Sequence, residues 1–517
     1  MVPTSCRKNG KCRECLVEVV LGDQLLSPPS PEEEHLREGF RLSCRAQVTG
    51  TSGTIKCHTL RRGAMRIEHD YHVLQDIPGP QQLDPAVTRD GSWVLLDGEK
   101  LVEASGPLHG LAIDVGTTTV VVRLVDLESG NLLEIQSFEN PQRFAGTDIM
   151  ARIQYDTEQG GHLLQRTLLA YLGHAIEALS CDRQTIYEIV IAANTTMRDL
   201  LFGLDVYSVG QRPYRSLTET AVADGNRKST SLSTTAKKLR LPVFPAARVY
   251  GLPLIGGHVG ADAAACLLAV GLAHEERMVA LMDIGTNTEL VVGNRHKILA
   301  ASCPAGPAFE GGAITCGMPG LDGAIEKIAI SNEKDISLGV IGEGAPLGIC
   351  GSGLIDGLSE LLRTKRINHL GRFVDESERF DLTPDKQIFI HELDISELAQ
   401  AKGANVAGLR IVLKNFGIDV DDLDRFYLAG GFAKHLRLDA ARRIGLIPDL
   451  PGEKLMQVGN AAIEGATRAL CSLSARNELE SVVQSIGHVE LETDTQFFDY
   501  FVEGCQFIPM KNHLCQE

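Results

Sequence analysis

An Asp-x-Gly-Thr-x-Thr pattern occurs twice in this chain, each time inside an apolar strand–turn–strand setting. LAIDVGTTTVVVRLV spans 111–125 and ALMDIGTNTELVVGN spans 280–294. Self-similarity of this kind is the mark of a duplicated architecture. It predicts two related α/β halves, with the cleft between them as the natural ligand position.

Composition sets the outer limits. The 517 residues are 44% hydrophobic, enough for a large core, and this excludes global disorder. Lys+Arg number 50 against Asp+Glu 67, and a formal net charge of -17 argues against a nucleic-acid backbone as main partner. No apolar run reaches the ~18 residues a membrane helix requires. The stretch from Met1 to Cys15 carries charges and no apolar h-region, which predicts no signal peptide. The expected setting is the cytoplasm, away from membranes, with the 13 cysteines reduced.

Periodicity divides the chain into four stretches. Residues 1–57 hold the close cysteines, a strand-like LVEVVLG and, over 31–38, PEEEHLRE, whose early acidic residues predict a short helix. Residues 58–107 are broken by Gly and Pro and read as a linker or a small, partly strand-like module. From Leu108 onward, apolar strands such as LAIDVG, YEIVIAA, MVALMDIG and RFYLAGG alternate with helical stretches. This is the signature of a layered α/β fold with its site at the strand-end loops, with a first lobe over 108–275 and a second over 276–517.

The repeated motif suits phosphate. Its Asp, Asp114 or Asp283, sits at a strand tip and can hold Mg²⁺, which favours one or two carboxylates beside phosphate oxygens. Gly116 and Gly285 allow a tight turn. The following N–H groups, with the hydroxyls of Thr117, Thr118 and Thr286, can face one concavity. A plain hairpin explains one copy equally well; two copies in matching contexts do not arise readily by chance. RFYLAGGFAKHL (425–436) ends a strand in Gly430 and Gly431, where a ribose or flat ring can approach the backbone. Gly351 and Gly353 of CGSGLID open a helix whose free amides form an anion site or serve packing alone. Glu310, before Gly311-Gly312, is placed to orient a water, or to act as a salt-bridged or capping residue.

Together these loops resemble the acetate/sugar kinase–Hsc70–actin superfamily of actin-like ATPases. That resemblance implies a first phosphate loop of Asp114, Gly116, Thr117 and Thr118, and a second of Asp283, Gly285, Thr286 and Asn287. It places Gly430, Gly431 and Phe432 at the adenosine. Further motifs narrow it: Asn140-Pro141-Gln142, Asn194-Thr195-Thr196-Met197, Ala305-Gly306-Pro307-Ala308-Phe309-Glu310-Gly311 and Cys350-Gly351-Ser352-Gly353-Leu354-Ile355-Asp356. These are similar to the ATP-dependent reductive activators of corrinoid proteins, in which a ferredoxin-like domain precedes a two-lobed ATPase domain. Relatives more often carry Gly before the Asn of the second motif and His after its Met. Here Ala193 and Arg198-Asp199 stand there.

Cys6, Cys12, Cys15 and Cys44 form one close pair with two outlying thiols. Four thiolates suit a 2Fe–2S cluster, and the first gap is one residue longer than the plant-type spacing. It resembles the other common ferredoxin type, shared by the corrinoid activators. Arg7, Lys8, Lys11 and Arg13 would offset the anionic cluster. Structural zinc and inert thiols are the alternatives, although structural zinc usually shows two close pairs. Only five residues precede Cys6, so this β-grasp ferredoxin-like domain reads as truncated. The remaining cysteines lack ligand spacing; Cys303 and Cys316, flanking the Glu310 loop, are the two worth locating.

The resemblance implies a Mg²⁺- and ATP-dependent enzyme that takes an electron from an external donor. It would return an inactive Co(II) corrinoid protein of a methyltransferase system to Co(I), working as a homodimer. The alternatives are a small-molecule kinase of the same superfamily and a redox-sensing ATP-binding protein without turnover.

Overall fold

The computed structural model describes residues 15–59, 77–79, 81–159, 161–331, 335–431 and 433–510. The chain divides into two compact units. One comprises Met1–Ala64, Gln82–Ala265 and Gly465–Glu480; the other comprises Met65–Gln81, Cys266–Glu464 and Ser481–Glu517.

The first unit begins with a small antiparallel sheet of β1 (Leu16–Leu21), β2 (Phe40–Leu42) and β3 (Lys56–Thr59), ordered β2-β1-β3. The helix expected over 31–38 is absent, and turns occupy that stretch. The reason is Glu33. Its buried carboxylate accepts the backbone N–H groups of Ser30 and Leu42, each at 2.8 Å, and the Arg41 guanidinium. Tight turns between Ser30 and Glu33 and between Glu33 and Leu36 aim that side chain inward. A buried carboxylate with three donors outweighs the weak helix propensity of an eight-residue segment. Residues 87–103 form a meander, β4 (Val87–Asp90), β5 (Trp93–Leu96) and β6 (Glu99–Glu103).

The main sheet of this unit uses β7 (His109–Val115), β8 (Thr119–Asp126), β9 (Leu132–Glu139), β10 (Ile186–Ala193), β11 (Leu232–Thr235) and β12 (Arg248–Gly251). Its order is β11-β12-β10-β7-β8-β9. All eight residues of β10 are buried. This explains its mostly apolar run, because a central strand covered on both faces has no solvent side to mark with polar residues; its one charged residue, Glu188, is buried in ion pairs with Arg248 and Arg476.

The second unit is built on β13 (Val279–Ile284), β14 (Thr288–Asn294) and β15 (Lys297–Cys303). A subsidiary sheet of β16 (Ala324–Ile330), β17 (Ile336–Val340) and β18 (Gly348–Ile349) follows, then a hairpin of β19 (Arg379–Asp381) and β20 (Phe389–His391). The main sheet is completed by β21 (Arg425–Ala429), β22 (Leu455–Gly459) and β23 (Gly487–His488). Its order is β22-β21-β13-β14-β15-β23.

The duplication is explicit in the register. β12-β10-β7-β8-β9 and β22-β21-β13-β14-β15 are the same five-strand order with the same strand senses. In each sheet the Asp-Gly-Thr turn joins an antiparallel pair whose first strand also pairs in parallel on its other side. Among the described residues no helix is long and apolar enough to cross a membrane.

Candidate functional site

In the first unit, Asp114 is the last residue but one of β7, in register with Val121 of β8 and Ala192 of β10. The turn after it is closed by the Gly116 N–H donating to the Thr119 carbonyl at 2.9 Å. Three segments distant in sequence hold this loop from within. The Asn140 side chain donates to the Gly116 carbonyl at 2.8 Å, and its backbone N–H donates to the Thr118 carbonyl at 2.6 Å. Asn194 donates from Nδ2 to the Thr117 hydroxyl at 3.0 Å while its Oδ1 caps the helix Thr195–Phe202 through the Met197 N–H. Arg152, from the helix Ile149–Gln159, donates to the Thr117 carbonyl at 2.6 Å. The Asn-Pro-Gln and Asn-Thr-Thr-Met motifs are therefore supports of the loop.

Arg198 and Asp199, on the helix Thr195–Phe202, are wholly buried. Arg198 donates twice to Asp199 Oδ1, at 3.0 and 2.8 Å, and also to the Thr230 and Leu252 carbonyls. Asp199 Oδ2 accepts the Ser216 hydroxyl at 2.6 Å. A buried ion pair with its remaining valences filled is structural glue rather than a loop contact.

In the second unit, Asp283 is the last residue but one of β13, opposite Glu289 on β14 and Ala429 on β21. Burial at the strand end pushes its carboxyl up to about 6, opposed by a hydrogen bond from the Cys266 thiol at 3.2 Å. The Gly285 N–H donates to the Asn287 carbonyl at 3.1 Å. The Thr286 hydroxyl donates to Glu310 Oε2 at 2.5 Å, and the Thr286 carbonyl accepts the Gly306 N–H. The structure therefore brings Glu310 to the second loop.

Gly430 follows β21 directly beside this loop. It has φ +113, and an added Cβ would stand 2.3 Å from the Ile284 carbonyl oxygen. Only glycine permits that backbone and that proximity. Gly431 continues the turn, and Phe432 lies outside the described residues. Gly351 opens the helix Gly351–Arg363, where a Cβ would lie 1.7 Å from the Phe309 carbonyl oxygen; at Gly353 it would lie 2.1 Å from that of Ile325. Close backbone packing accounts for both glycines. Ser352, buried between them, pairs with the Cys350 thiol at 3.3 Å. Asp356 on the same helix meets Arg437 at 3.5 Å, linking the CGSGLID segment to the chain beyond Gly431.

Of the four expected cluster ligands, Cys6 and Cys12 lie outside the described residues. Cys15 precedes β1 and Cys44 follows β2, and the antiparallel register Leu16↔Leu42 brings those two ends together. The Ser43 N–H donates to the Cys15 carbonyl at 2.9 Å. The register thus sets the two backbone positions at adjoining strand ends. Cys15, Leu16 and Leu42 are buried in one apolar cluster with Leu111 and Ile113 of β7, and Cys44 packs against it. Glu18 of β1 also meets Arg143 at 3.5 Å. Cys303 is buried in the core and Cys316 donates to the Gln387 carbonyl, so packing explains both.

The loop supports Arg152 and Cys266 carried no sequence signal. Neither belongs to a spaced motif, and only the tertiary fold brings them to the loops.

A family model for a 2Fe-2S iron-sulfur cluster binding domain matches residues 1–49, one for the RACo middle region matches 109–275, and one for the C-terminal domain of RACo, the ASKHA domain, matches 277–517. Over 568 aligned residues the chain is 30% identical to the corrinoid activation enzyme RamQ of Eubacterium limosum, covering 97% of this chain and 93% of that protein. The chain belongs to the RACo family. The chain is also similar to the Co(II) methylated amine-specific corrinoid protein reductase of Methanosarcina barkeri, 22% identical over 436 residues and 76% of each chain. A solved reductive activator for corrinoid, iron-sulfur protein matches with a TM-score of 0.76 at 28% identity, covering 98% of this chain and 94% of that one. The fold is accordingly an actin-like ASKHA domain preceded by a ferredoxin-like iron–sulfur domain.

Proposed function

We propose that this chain is an iron–sulfur, ATP-dependent reductive activator that returns an inactive Co(II) corrinoid protein of a methyltransferase system to Co(I) by one-electron transfer. The observation that carries this reading is the joining, in one chain, of a cysteine module with a duplicated pair of Asp-Gly-Thr loops. The names of its relatives, a corrinoid activation enzyme and a Co(II) corrinoid protein reductase, point the same way.

Cys6, Cys12, Cys15 and Cys44 would hold a 2Fe–2S cluster, which supplies single-electron chemistry drawn from an external donor. The rest of the work falls to this chain's own groups. Asp283 would hold Mg²⁺ directly or through water. Thr286 and the neighbouring loop amides take phosphate oxygens. Glu310, held by the Thr286 hydroxyl, orients the attacking water. The Ala-Gly-Gly turn, lacking Cβ atoms, leaves room for the adenosine. The first loop, with Asp114, Gly116, Thr117 and Thr118, supplies the same parts in the other unit. Nucleotide can favour one conformation only through different affinities for the conformations, so ATP must act by preferring the state that delivers the electron.

The deciding experiment is anaerobic reduction of a Co(II) corrinoid protein by this chain with a chemical donor, with and without Mg-ATP, followed by the Co(I) absorption. ATP-dependent Co(I) formation is expected. No reduction with ATP present, or phosphoryl transfer to a small molecule in its place, overturns the assignment.

A further inference from the structure

We propose that Arg152 is a positioning residue of the first phosphate loop, fixing the direction in which two successive loop amides point. The inference rests on the reading of this loop as an ATP site. Arg152 lies on the helix Ile149–Gln159 and is wholly buried. Its guanidinium spreads over three separate segments. Nη2 donates to the Thr117 carbonyl at 2.6 Å, and Nε donates to the Gly146 carbonyl at 3.1 Å. Nη1 reaches Gln142 Oε1 at 3.4 Å and Met197 Sδ at 3.1 Å.

A trans peptide places its C=O and the next N–H on opposite sides of the C–N bond. Drawing the Thr117 oxygen toward Arg152 therefore turns the Thr118 N–H the other way. Asn140 does the same one peptide earlier, taking the Gly116 oxygen at 2.8 Å and so turning out the Thr117 N–H. Both anchors lie on the same side of the loop, since Asn140 Nδ2 and Arg152 Nη1 share Met197 Sδ as a neighbour. Two consecutive carbonyls are thus held inward and two consecutive N–H groups face outward, the arrangement that makes a backbone concavity for an anion. A planar guanidinium is needed because a single donor group cannot hold the Thr117 carbonyl, the 142–146 turn and the Met197 helix in one rigid fork. Its fixed positive charge beneath the loop adds to the attraction for phosphate.

The test compares wild type with Arg152→Lys and Arg152→Met in the full chain. ATP affinity and turnover are measured separately, and thermal midpoints and visible absorption serve as controls. Losing one charge-assisted hydrogen bond on the loop should raise KM for ATP by about tenfold in Arg152→Met. A smaller rise is expected in Arg152→Lys, with the iron–sulfur absorption unchanged in both. A role confined to packing would lower the thermal midpoint but leave KM where it was, and that result overturns the proposal. Should Arg152→Met not fold, Arg152→Lys still carries the KM comparison. Hydrogen exchange in wild type then supplies a second check: the Thr117 and Thr118 amides should be slowed by Mg-ATP, and unaltered exchange also overturns it. Wild type that binds no Mg-ATP at all removes the nucleotide reading and this inference together. Wild type that binds while both variants match it removes this inference alone.

Discussion

Replacing Gly351 by alanine perturbs the candidate nucleotide site while leaving Asp283, Thr286 and Glu310 themselves unchanged. The new methyl group would lie 1.7 Å from the Phe309 carbonyl oxygen, where real Cβ atoms do not come within 3.0 Å. The obstacle is backbone, so no side-chain rotation relieves it, and the Phe309–Glu310 turn has to withdraw by roughly 1.3 Å. Glu310 is the next residue, and its carboxylate is held to Thr286 by a 2.5 Å hydrogen bond. A withdrawal of that size takes the pair beyond hydrogen-bonding range. Misplacement of a reacting group by about 1 Å costs on the order of a hundredfold in rate, and overpacking costs about 1–3 kcal/mol in stability. The assay is ATP turnover in the presence of a corrinoid partner, run beside thermal denaturation. Gly452→Ala is the control, because a Cβ there meets nothing within 4 Å. Gly351→Ala should lose turnover by about a hundredfold while Gly452→Ala matches wild type. A folded Gly351→Ala protein with turnover within about twofold of wild type refutes the chain of contact from helix start to Glu310 to Thr286.

Other expected outcomes test separate parts of the structure. Asp283→Ala should abolish ATP hydrolysis and leave the iron–sulfur absorption intact, while Cys12→Ser should do the reverse; hydrolysis surviving the first change would mean that the second loop is misassigned. Asp199→Ala strands the buried Arg198 guanidinium and should cost about 3–5 kcal/mol, read as a lowered denaturant midpoint; an unchanged midpoint contradicts the buried pair. Lys402 is buried, donates to the Gly504 and Gln506 carbonyls, and is pulled by burial from its ordinary 10.5 to about 7. Between those values the unfolded chain holds a proton that the folded chain has released, so stability should rise with pH from about 7 toward 10. Lys402→Met should flatten that slope in denaturant titrations at pH 7 and pH 9; an identical slope in both proteins sets the effect of Lys402 aside.

Local pattern settled the parts of this protein that depend on neighbours in sequence. The two Asp-Gly-Thr turns were legible because a strand, a tight turn and a second strand are all specified within fifteen residues of 111–125 and of 280–294. The buried strands, such as Ile186–Ala193, were legible from their mostly apolar runs, although Glu188 interrupts this one. Local pattern failed over 31–38, where the early acidic residues predict a helix. Glu33 instead turns inward to Ser30, Arg41 and Leu42, partners up to nine residues away.

The supports of the loops lie further out of reach of pattern. Asn140, Arg152 and Asn194 meet at Gly116 and Thr117 only because β9 and β10 end, and the helix Ile149–Gln159 begins, beside the same loop. Glu310 reaches Thr286, and the Cys266 thiol reaches Asp283, by the same kind of convergence in the other sheet. Sequence alone therefore determined which turns repeat and which residue types they carry, since backbone conformation over a few residues responds to the residues themselves. Which carbonyls are drawn inward, and which acid stands beside which threonine, was decided by packing. Those contacts join segments that strand order alone makes neighbours.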